Sequence, residues 1–382
     1  MRIEGIESFV VESPPEQRSP YRWLVIKVHT DKGIVGVGES GYHGLPDAAL
    51  AAIEAQKRYL VGQDPFKIEH HFQYLYRFAH FRGAAITASL SAIDIALWDI
   101  LGKALDMPVY QLLGGKCRDK VRLYIHIRGD TLDELAKDAQ RAVKEGFTVL
   151  RFSPFSEKFY DLSYSGLIED AVKHVAAVRE AVGFGVDICI DAHRRLTPAE
   201  AVVLGGELER FRLMFYEDPI RPDSVQSMAE VARKVKVPIA TGERLETMYD
   251  FRELLQAGAC QYVRPDVCLC GGITQTKKIA AIAESFNAGV IPHNPLSPVS
   301  TAACVQIDAC IPNFIVQEYT GENEPPKNVM VKKPLVLDNG YLVVPDAPGI
   351  GIELNDDFFK SHRTTPRPFT TPIRQDGSVA DW

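Results

Sequence analysis

The stretch VGFGVDICIDAHRRLTP, at residues 182–198, decides the fold class. Its mainly apolar run at 186–190 is typical of a buried strand, and the run stops abruptly at Asp191. His193 follows two residues later. Because side chains alternate along a strand, positions 191 and 193 are expected to point the same way. The stretch therefore predicts a buried strand that presents a carboxylate and an imidazole to one place.

The same kind of run recurs between about residue 121 and residue 319. Short apolar runs alternate there with longer segments of helical periodicity; the runs are VRLYIH, TVLRFSP, VDICIDAH, LMFYEDP, VPIATGE, CQYVRPD, AGVIPHN and FIVQEY. Alternation of this kind predicts a parallel sheet with covering helices. Eight runs favour a closed (β/α)8 barrel over an open sheet.

The composition excludes several classes of protein. The chain has 382 residues, is 46% hydrophobic and 24% charged, and carries a net charge of −7. These values are typical of a globular protein and argue against a nucleic-acid-binding surface. The longest apolar stretches are interrupted by charges, and no signal peptide is recognisable, so we expect a cytoplasmic protein without a membrane span. The seven cysteines are expected to be reduced, without a zinc site.

Ionisable residues end six consecutive runs of the predicted barrel, once per βα unit. They are Asp191, Glu217, Glu243, Asp266, His293 and Glu318. One acid after a strand could simply cap the next helix, but six in register point to the barrel mouth, where active sites are built. Charges gathered at one mouth repel each other unless a cation offsets them. Three carboxylates from adjacent strands suit Mg²⁺, a hard cation that prefers oxygen ligands.

Seven motifs in this order resemble the enolase superfamily, and most of all its mandelate-racemase-like subgroup of acid-sugar dehydratases. The matching segments are SAIDIALWDILGKALDMPVYQLLGG (91–115), DAHRR (191–195), FYEDP (215–219), ATGERL (240–245), RPDVCLCGGIT (264–274), IPHNPLSP (291–298) and QEY (317–319). The resemblance implies a modified (β/α)8 TIM barrel with an N-terminal α+β capping domain completed by the C-terminal tail.

The resemblance also implies where the domains and the capping loops lie. The expected boundaries are 1–118 for the capping domain, 119–325 for the barrel and 326–382 for the C-terminal segment that returns to the capping domain. Loops 14–22 and 40–48 of the capping domain are expected to close over the mouth and contact the far end of the substrate.

The roles implied by the resemblance divide the six residues of the mouth. Asp191, Glu217 and Glu243 are the expected magnesium ligands. His293 is the expected base that removes the proton at C2, and Asp266 orients its ring. Glu318 is expected to hydrogen-bond to a substrate carboxylate oxygen.

Two further residues distinguish members of the superfamily. His193 matches the histidine that protonates the leaving 3-hydroxyl group, which an elimination needs and a racemisation does not. Many racemases have a Lys-x-Lys pair at the end of the second strand, where this chain has Arg151 and Ser153. Arginine is a poor general base, so Arg151 is expected to bind a substrate oxygen or to position a neighbour.

These residues predict magnesium-dependent dehydration of a sugar acid, an aldonate of five or six carbons, to a 2-keto-3-deoxy sugar acid through an enediolate. Two alternatives stay open: a racemase or epimerase of a 2-hydroxy acid on the same fold, and a catalytically weak regulatory protein that binds a sugar acid. The expected partner is the small-molecule substrate, without nucleic acid or membrane, in a homo-oligomer.

Overall fold

The N-terminal part of the chain forms an antiparallel sheet of three strands. The computed structural model describes residues 1–12, 22–362, 364, 370–374 and 376–380. The strands pair in the order β1 (Ile3–Glu12), β2 (Arg22–Thr30) and β3 (Val35–Ser40). Of the predicted capping loop 14–22, only Arg22 lies within the described residues.

Four helices follow this sheet. They are α1 (Pro46–Leu60), α2 (Ile68–Phe78), α3 (Ala84–Leu105) and α4 (Val109–Leu112). Helix α3 lies directly against β3, where a Cβ added at Gly38 would be only 1.9 Å from the carbonyl oxygen of Ala92. The glycine therefore allows the helix and the strand to approach so closely.

Eight parallel strands form the barrel, as the sequence predicts. They are β4 (Lys120–His126), β5 (Val149–Phe152), β6 (Asp187–Asp191), β7 (Phe215–Glu217), β8 (Ile239–Thr241), β9 (Tyr262–Val263), β10 (Gly289–Val290) and β11 (Gln317–Tyr319). Strands β4 to β10 pair in chain order, and β11 pairs with β4. A bridge between Val290 and Phe314 joins the last two strands and closes the barrel.

Helices connect successive strands of the barrel. They are α5 (Leu132–Lys144), α6 (Tyr164–Val182), α7 (Pro198–Leu208), α8 (Val225–Lys234), α9 (Met248–Gln256), α10 (Gly272–Ser285) and α11 (Pro298–Cys310), with short 3₁₀ helices at Phe159–Asp161 and Glu209–Phe211. A further 3₁₀ helix, Lys327–Val329, follows the last barrel strand. Several begin with a clear sequence signal: Thr131, Thr197 and Thr247 each form a capping box. Because the strands are parallel, their carboxyl ends all meet at one mouth.

The C-terminal segment contacts both the barrel and the N-terminal sheet. The hairpin of β12 (Leu337–Asp338) and β13 (Tyr341–Val343) pairs with the first residues of β4. Helix α12 (Asp356–Ser361) reaches the N-terminal sheet, where the rings of Phe359 and Phe9 pack with centroids 5.5 Å apart. The tail thus completes the capping domain, while the boundaries at 118/119 and 325/326 stay predictions.

Helix α3 is the only helix in the described part of the chain that is long and apolar enough to cross a membrane. Of its most apolar window, 72% is buried inside the protein, as in the core helix of a globular fold. Charged residues do interrupt its apolar sequence, as expected for the longest apolar stretches of the chain. Its Asp94 and Asp99 are themselves buried, and they accept hydrogen bonds from the backbone N–H groups of Thr274 and Val37.

Replacing Gly38 tests the contact between α3 and β3. Gly38→Ala is expected to lower the free energy of unfolding by about 1–3 kcal/mol, because the new methyl group overlaps the backbone of the helix. Gly5→Ala is the matched control on β1, since a Cβ at that position has no neighbour within 4 Å. Urea unfolding of the two variants measures the difference, and equal stabilities would contradict the close packing.

Candidate active site at the barrel mouth

Three buried carboxylates lie on neighbouring strands at the mouth. Asp191 is the last residue of β6 and Glu217 is the last residue of β7, and the two positions are paired in register. Glu243 follows two residues after the end of β8. All three side chains are shielded from solvent. Because β6, β7 and β8 are neighbours in the sheet, these three strand-end acids lie on adjacent strands, as the sequence pattern predicts.

Arginine side chains lie between these carboxylates. Arg151, on β5, pairs with Asp191 and donates a hydrogen bond from Nε to Glu217 at 3.2 Å. Arg264, immediately after β9, is fully buried, with its Nη2 2.9 Å from Glu217 and 3.0 Å from Glu318. The negative charges of the mouth are therefore offset by guanidinium groups of the protein.

Strand alternation does not set the direction of His193, because β6 ends at Asp191. His193 and Arg194 have φ values of 50° and 67°, the left-handed region that non-glycine residues seldom adopt. This turn brings the guanidinium of Arg194 to 2.8 Å from Glu243. The backbone N–H of His193 donates to Asp191 at 2.6 Å, which holds the turn in place.

His293 and Asp266 form the predicted pair. Nδ1 of His293 lies 2.8 Å from the carboxylate of Asp266, and Nε2 lies 3.6 Å from Glu243. A backbone N–H, that of Cys268, donates to the other oxygen of Asp266 at 2.8 Å. Burial disfavours the protonated ring, but the charges of Glu243 and Asp266 outweigh it and raise the pKa of His293 to about 9.

The surroundings of His193 lower the pKa of its imidazole, whereas those of His293 raise it. Burial of His193 and the positive charge of Arg194 lower the pKa of the imidazole to about 4. Two histidines of one mouth thus have environments that push their pKa values apart, a separation typical of acid–base sites.

Glu318 forms a second carboxylate–histidine pair, which the sequence analysis missed. One of its oxygens accepts from Nε2 of His126 at 2.8 Å, and the other accepts from Arg264 and from the backbone N–H of Asn294. Burial raises the pKa of Glu318, but the hydrogen bond from His126 and the charge of Arg264 outweigh burial and hold this pKa well below its usual range. Burial and the charge of Arg151 lower the pKa of His126 to about 4, so this imidazole is neutral and donates from Nε2.

The residues that sequence reasoning missed carry a visible signal. His126 ends the first apolar run, Arg264 lies in the sixth run directly after strand β9, and Arg194 lies beside His193. Each therefore stands at the carboxyl end of a strand, as the six predicted residues do. A search that included every ionisable residue at a strand end would have found them.

The donor types at Asp191, Glu217 and Glu243 fit a hard divalent cation. Burial, together with the charges of Asp191 and Glu243, raises the pKa of Glu217 to about 7, a conflict that a cation relieves. Oε1 of Glu217 is buried and lies 2.9 Å from Nη2 of Arg264, but the geometry of that contact is not that of a hydrogen bond. Within the described residues, however, no three His, Cys, Asp or Glu side chains are gathered closely enough to hold a metal ion, since the carboxylates turn towards arginines.

The second capping loop, 40–48, meets the mouth at Gly41. Its backbone N–H donates to the carbonyl oxygen of Cys268 at 2.7 Å, next to Asp266. The capping domain therefore touches the barrel at the position that carries the Asp266–His293 pair.

The barrel is closed, carries acids, histidines and arginines at the carboxyl ends of its strands, and has an α+β domain above them. These features define a barrel enzyme with its active site at the mouth. Two family comparisons agree. Residues 9–114 match the mandelate racemase/muconate lactonizing enzyme N-terminal domain, and residues 134–358 match the enolase C-terminal domain-like family. The chain belongs to this family of the enolase superfamily and is an enzyme, as the motifs predict.

Similar proteins of known sequence or structure cover the whole chain. A D-galactonate dehydratase from Verminephrobacter eiseniae is 35% identical over 96% of this chain and 98% of its own. The crystal structure of an enolase from Agrobacterium radiobacter, with Na and L-malate bound, is 30% identical, covers 100% of both chains and has a TM-score of 0.92. A mandelate racemase/muconate lactonizing enzyme from Jannaschia sp. CCS1 is 32% identical over 96% of this chain and 99% of its own, with a TM-score of 0.90.

Proposed function

We propose that the protein is a magnesium-dependent dehydratase that converts an aldonate of five or six carbons into a 2-keto-3-deoxy sugar acid. The observation that carries this proposal is the Asp266–His293 pair, with a buried carboxylate and a partly buried imidazole, beside three carboxylates on neighbouring strands. Similarity to D-galactonate dehydratases over nearly the whole chain supports the substrate class. Members of the enolase superfamily depend on magnesium.

Asp191, Glu217 and Glu243 would hold the magnesium ion. When bound, the ion would stabilise the negative charge that develops on the substrate carboxylate. Its positive charge would also offset the charge of Glu243, which raises the pKa of His293. Arg151 is proposed to bind a substrate oxygen, since its side chain is 15% exposed and its guanidinium lies at the mouth between Asp191 and Glu217.

Removal of the C2 proton is assigned to Nε2 of His293. Nδ1 is occupied by Asp266, so only Nε2 faces the mouth, on the side of Glu243. Asp266 fixes the ring orientation and stabilises the protonated form after the transfer. This arrangement is a histidine–carboxylate base in which one ring nitrogen is held and the other reacts.

Departure of the 3-hydroxyl group is assigned to His193 as the acid. Hydroxide is a poor leaving group, so proton donation in the transition state contributes strongly. Without a bound substrate His193 is neutral, because burial and the charge of Arg194 lower the pKa of its imidazole to about 4. The assignment therefore requires that the negative charge of the bound substrate raise this pKa.

The role proposed for Glu318 takes a more specific form. Both of its oxygens already accept hydrogen bonds from the protein, and an ionised carboxylate has no proton to donate to a substrate carboxylate. Direct hydrogen bonding to the substrate would need a proton on Glu318. In the ionised form, Glu318 would act by holding the neutral His126 and Arg264 at the mouth.

The racemase alternative needs a second base, and the position where many racemases have a lysine pair does not supply one. Arg151 is tied to Asp191 and Glu217, and arginine stays protonated. Location in the cytoplasm and assembly into a homo-oligomer remain part of the proposal, and size-exclusion chromatography tests the second.

Magnesium-dependent formation of a 2-keto acid tests the proposed function. A library of sugar acids, read out with semicarbazide, is expected to contain at least one substrate. Glu217→Gln and Glu243→Gln should lose activity while the barrel stays folded, because each removes a charge that the ion requires. Glu230→Gln, an exposed carboxylate on α8, is the control and should keep full activity. Full turnover in excess chelator would refute the metal assignment.

Exchange of the C2 hydrogen with solvent deuterium tests the base. His293→Asn should stop both exchange and dehydration, because the only ring nitrogen that faces the mouth is removed. Asp266→Asn should slow both less completely, since Asp266 orients the base and takes no proton itself. Exchange at the wild-type rate in His293→Asn would show that the base lies elsewhere.

Loss of His193 should separate two steps that the wild type couples. His193→Asn is expected to form the 2-keto acid more slowly by roughly 10²–10⁴-fold, the usual contribution of a general acid. The same variant should still exchange the C2 hydrogen, because that step uses His293 and Asp266. Dehydration close to the wild-type rate would instead make His193 a substrate contact and His293 the sole acid and base.

A further inference from the structure

Glu39 of the N-terminal sheet is a buried carboxylate that the proposed mechanism leaves unused. It is the last residue but one of β3, and it is 0% exposed. Its oxygens accept from the hydroxyl of Ser297 at 2.6 Å, from the backbone N–H of Ser297 at 3.3 Å and from the backbone N–H of Ser300 at 3.0 Å. All three donors belong to the barrel, at the start of α11.

These bonds place a negative charge at the N-terminus of α11, where the helix dipole favours it. Ser297 is the N-cap of that helix, and its hydroxyl also accepts from the backbone N–H of Val299 at 3.1 Å. Ser297 lies four residues after His293 in the chain, and the intervening Asn294 is anchored to Glu318. Glu39 therefore holds the far end of the short segment that carries His293.

The residues after Glu39 contact the other member of the pair. The backbone N–H of Gly41 donates to Cys268, and a Cβ added at Gly41 would lie 3.0 Å from Oδ1 of Asp266. The N–H of Cys268 in turn donates to that same oxygen. Residues at the end of β3 therefore contact both the chain beside Asp266, through Gly41, and the chain after His293, through Glu39.

We propose that Glu39 is a positioning residue for the Asp266–His293 pair, through which the capping domain sets the orientation of the base. Its role in turnover rests on the proposed function, whereas its effect on the geometry of the pair does not. Glu39 does not touch the substrate. It acts by fixing residues 294–298, so that Nε2 of His293 keeps its direction towards the mouth.

The test compares Glu39→Gln with Glu39→Asp and with a matched control. Gln replaces one of the two accepting oxygens by an –NH₂ group, which can only donate, and removes the charge, whereas Asp keeps the charge on a shorter side chain. Asp99→Asn is the control, because Asp99 is also a buried carboxylate of the capping domain that accepts backbone N–H groups, from Val37 and Ile350, away from the pair. Burial raises the pKa of Glu39 to about 7, so measurements are made at mildly alkaline pH.

Two readouts separate positioning from simple stability. The proton on Nδ1 of His293, shared with Asp266, gives a low-field NMR resonance that is assigned by its loss in His293→Asn. In Glu39→Gln this resonance should shift or broaden, and kcat should fall roughly 10- to 100-fold with KM nearly unchanged. Glu39→Asp should recover part of both effects. Asp99→Asn should lower the melting temperature and leave the resonance and kcat at wild-type values.

The outcomes distinguish this proposal from the proposed function. A folded Glu39→Gln with an unchanged resonance and unchanged kcat overturns the positioning role. If Glu39→Gln does not fold, Ser297→Ala removes the linking hydroxyl more gently, and an unchanged resonance and kcat in that variant also overturn it. If the resonance depends on Glu39 while the wild type makes no 2-keto acid, the positioning role stands and the proposed reaction fails.

Discussion

The charged mouth of the barrel depends on the ion pairs that the guanidinium of Arg264 forms with two carboxylates. Arg264 is fully buried, and its Nη2 lies within 3.0 Å of carboxylates from two other strands, Glu217 of β7 and Glu318 of β11. Transferring an isolated carboxylate from water to such a place costs many kcal/mol, so each acid needs a partner. Arg151 and Arg194 act in the same way for Asp191 and Glu243. The arginines are what allow so many acids to share one mouth.

This compensation shapes the chemistry as well as the stability. At His293, the negative charge of nearby carboxylates outweighs the effect of burial, so the pKa of the ring is raised. At His193 and His126, burial and a neighbouring arginine both lower the pKa, so the ring is neutral. One mouth therefore contains histidines of opposite proton affinity. The capping domain joins this arrangement through Glu39 and Gly41, which contact the backbone on both sides of the Asp266–His293 pair.

The strand ends could be predicted from the sequence because a buried parallel strand is a short, mainly apolar run, and an ionisable residue at its end marks the mouth. Asp191, Glu217 and Glu243 illustrate this, and all three lie where the pattern predicts. The partners of these acids could not be predicted, since pairing Arg264 with both Glu217 and Glu318 depends on side-chain reach across strands far apart in the chain. The left-handed turn at His193 and Arg194 could not be predicted either, because it contains no glycine or asparagine, the residues that usually mark such a turn.

The free energy of unfolding of Arg264→Met tests the dependence on Arg264 most directly. Methionine has a comparable apolar shape but leaves Glu217 and Glu318 with less compensation in a buried site, and removal of one partner from a buried ion pair typically costs about 3–5 kcal/mol. Urea unfolding is therefore expected to show a loss of that size, while Lys234→Met, which breaks an exposed ion pair with Glu230 on α8, leaves stability unchanged. A stability of Arg264→Met equal to that of the wild type would contradict the view that this arginine holds the charged mouth together.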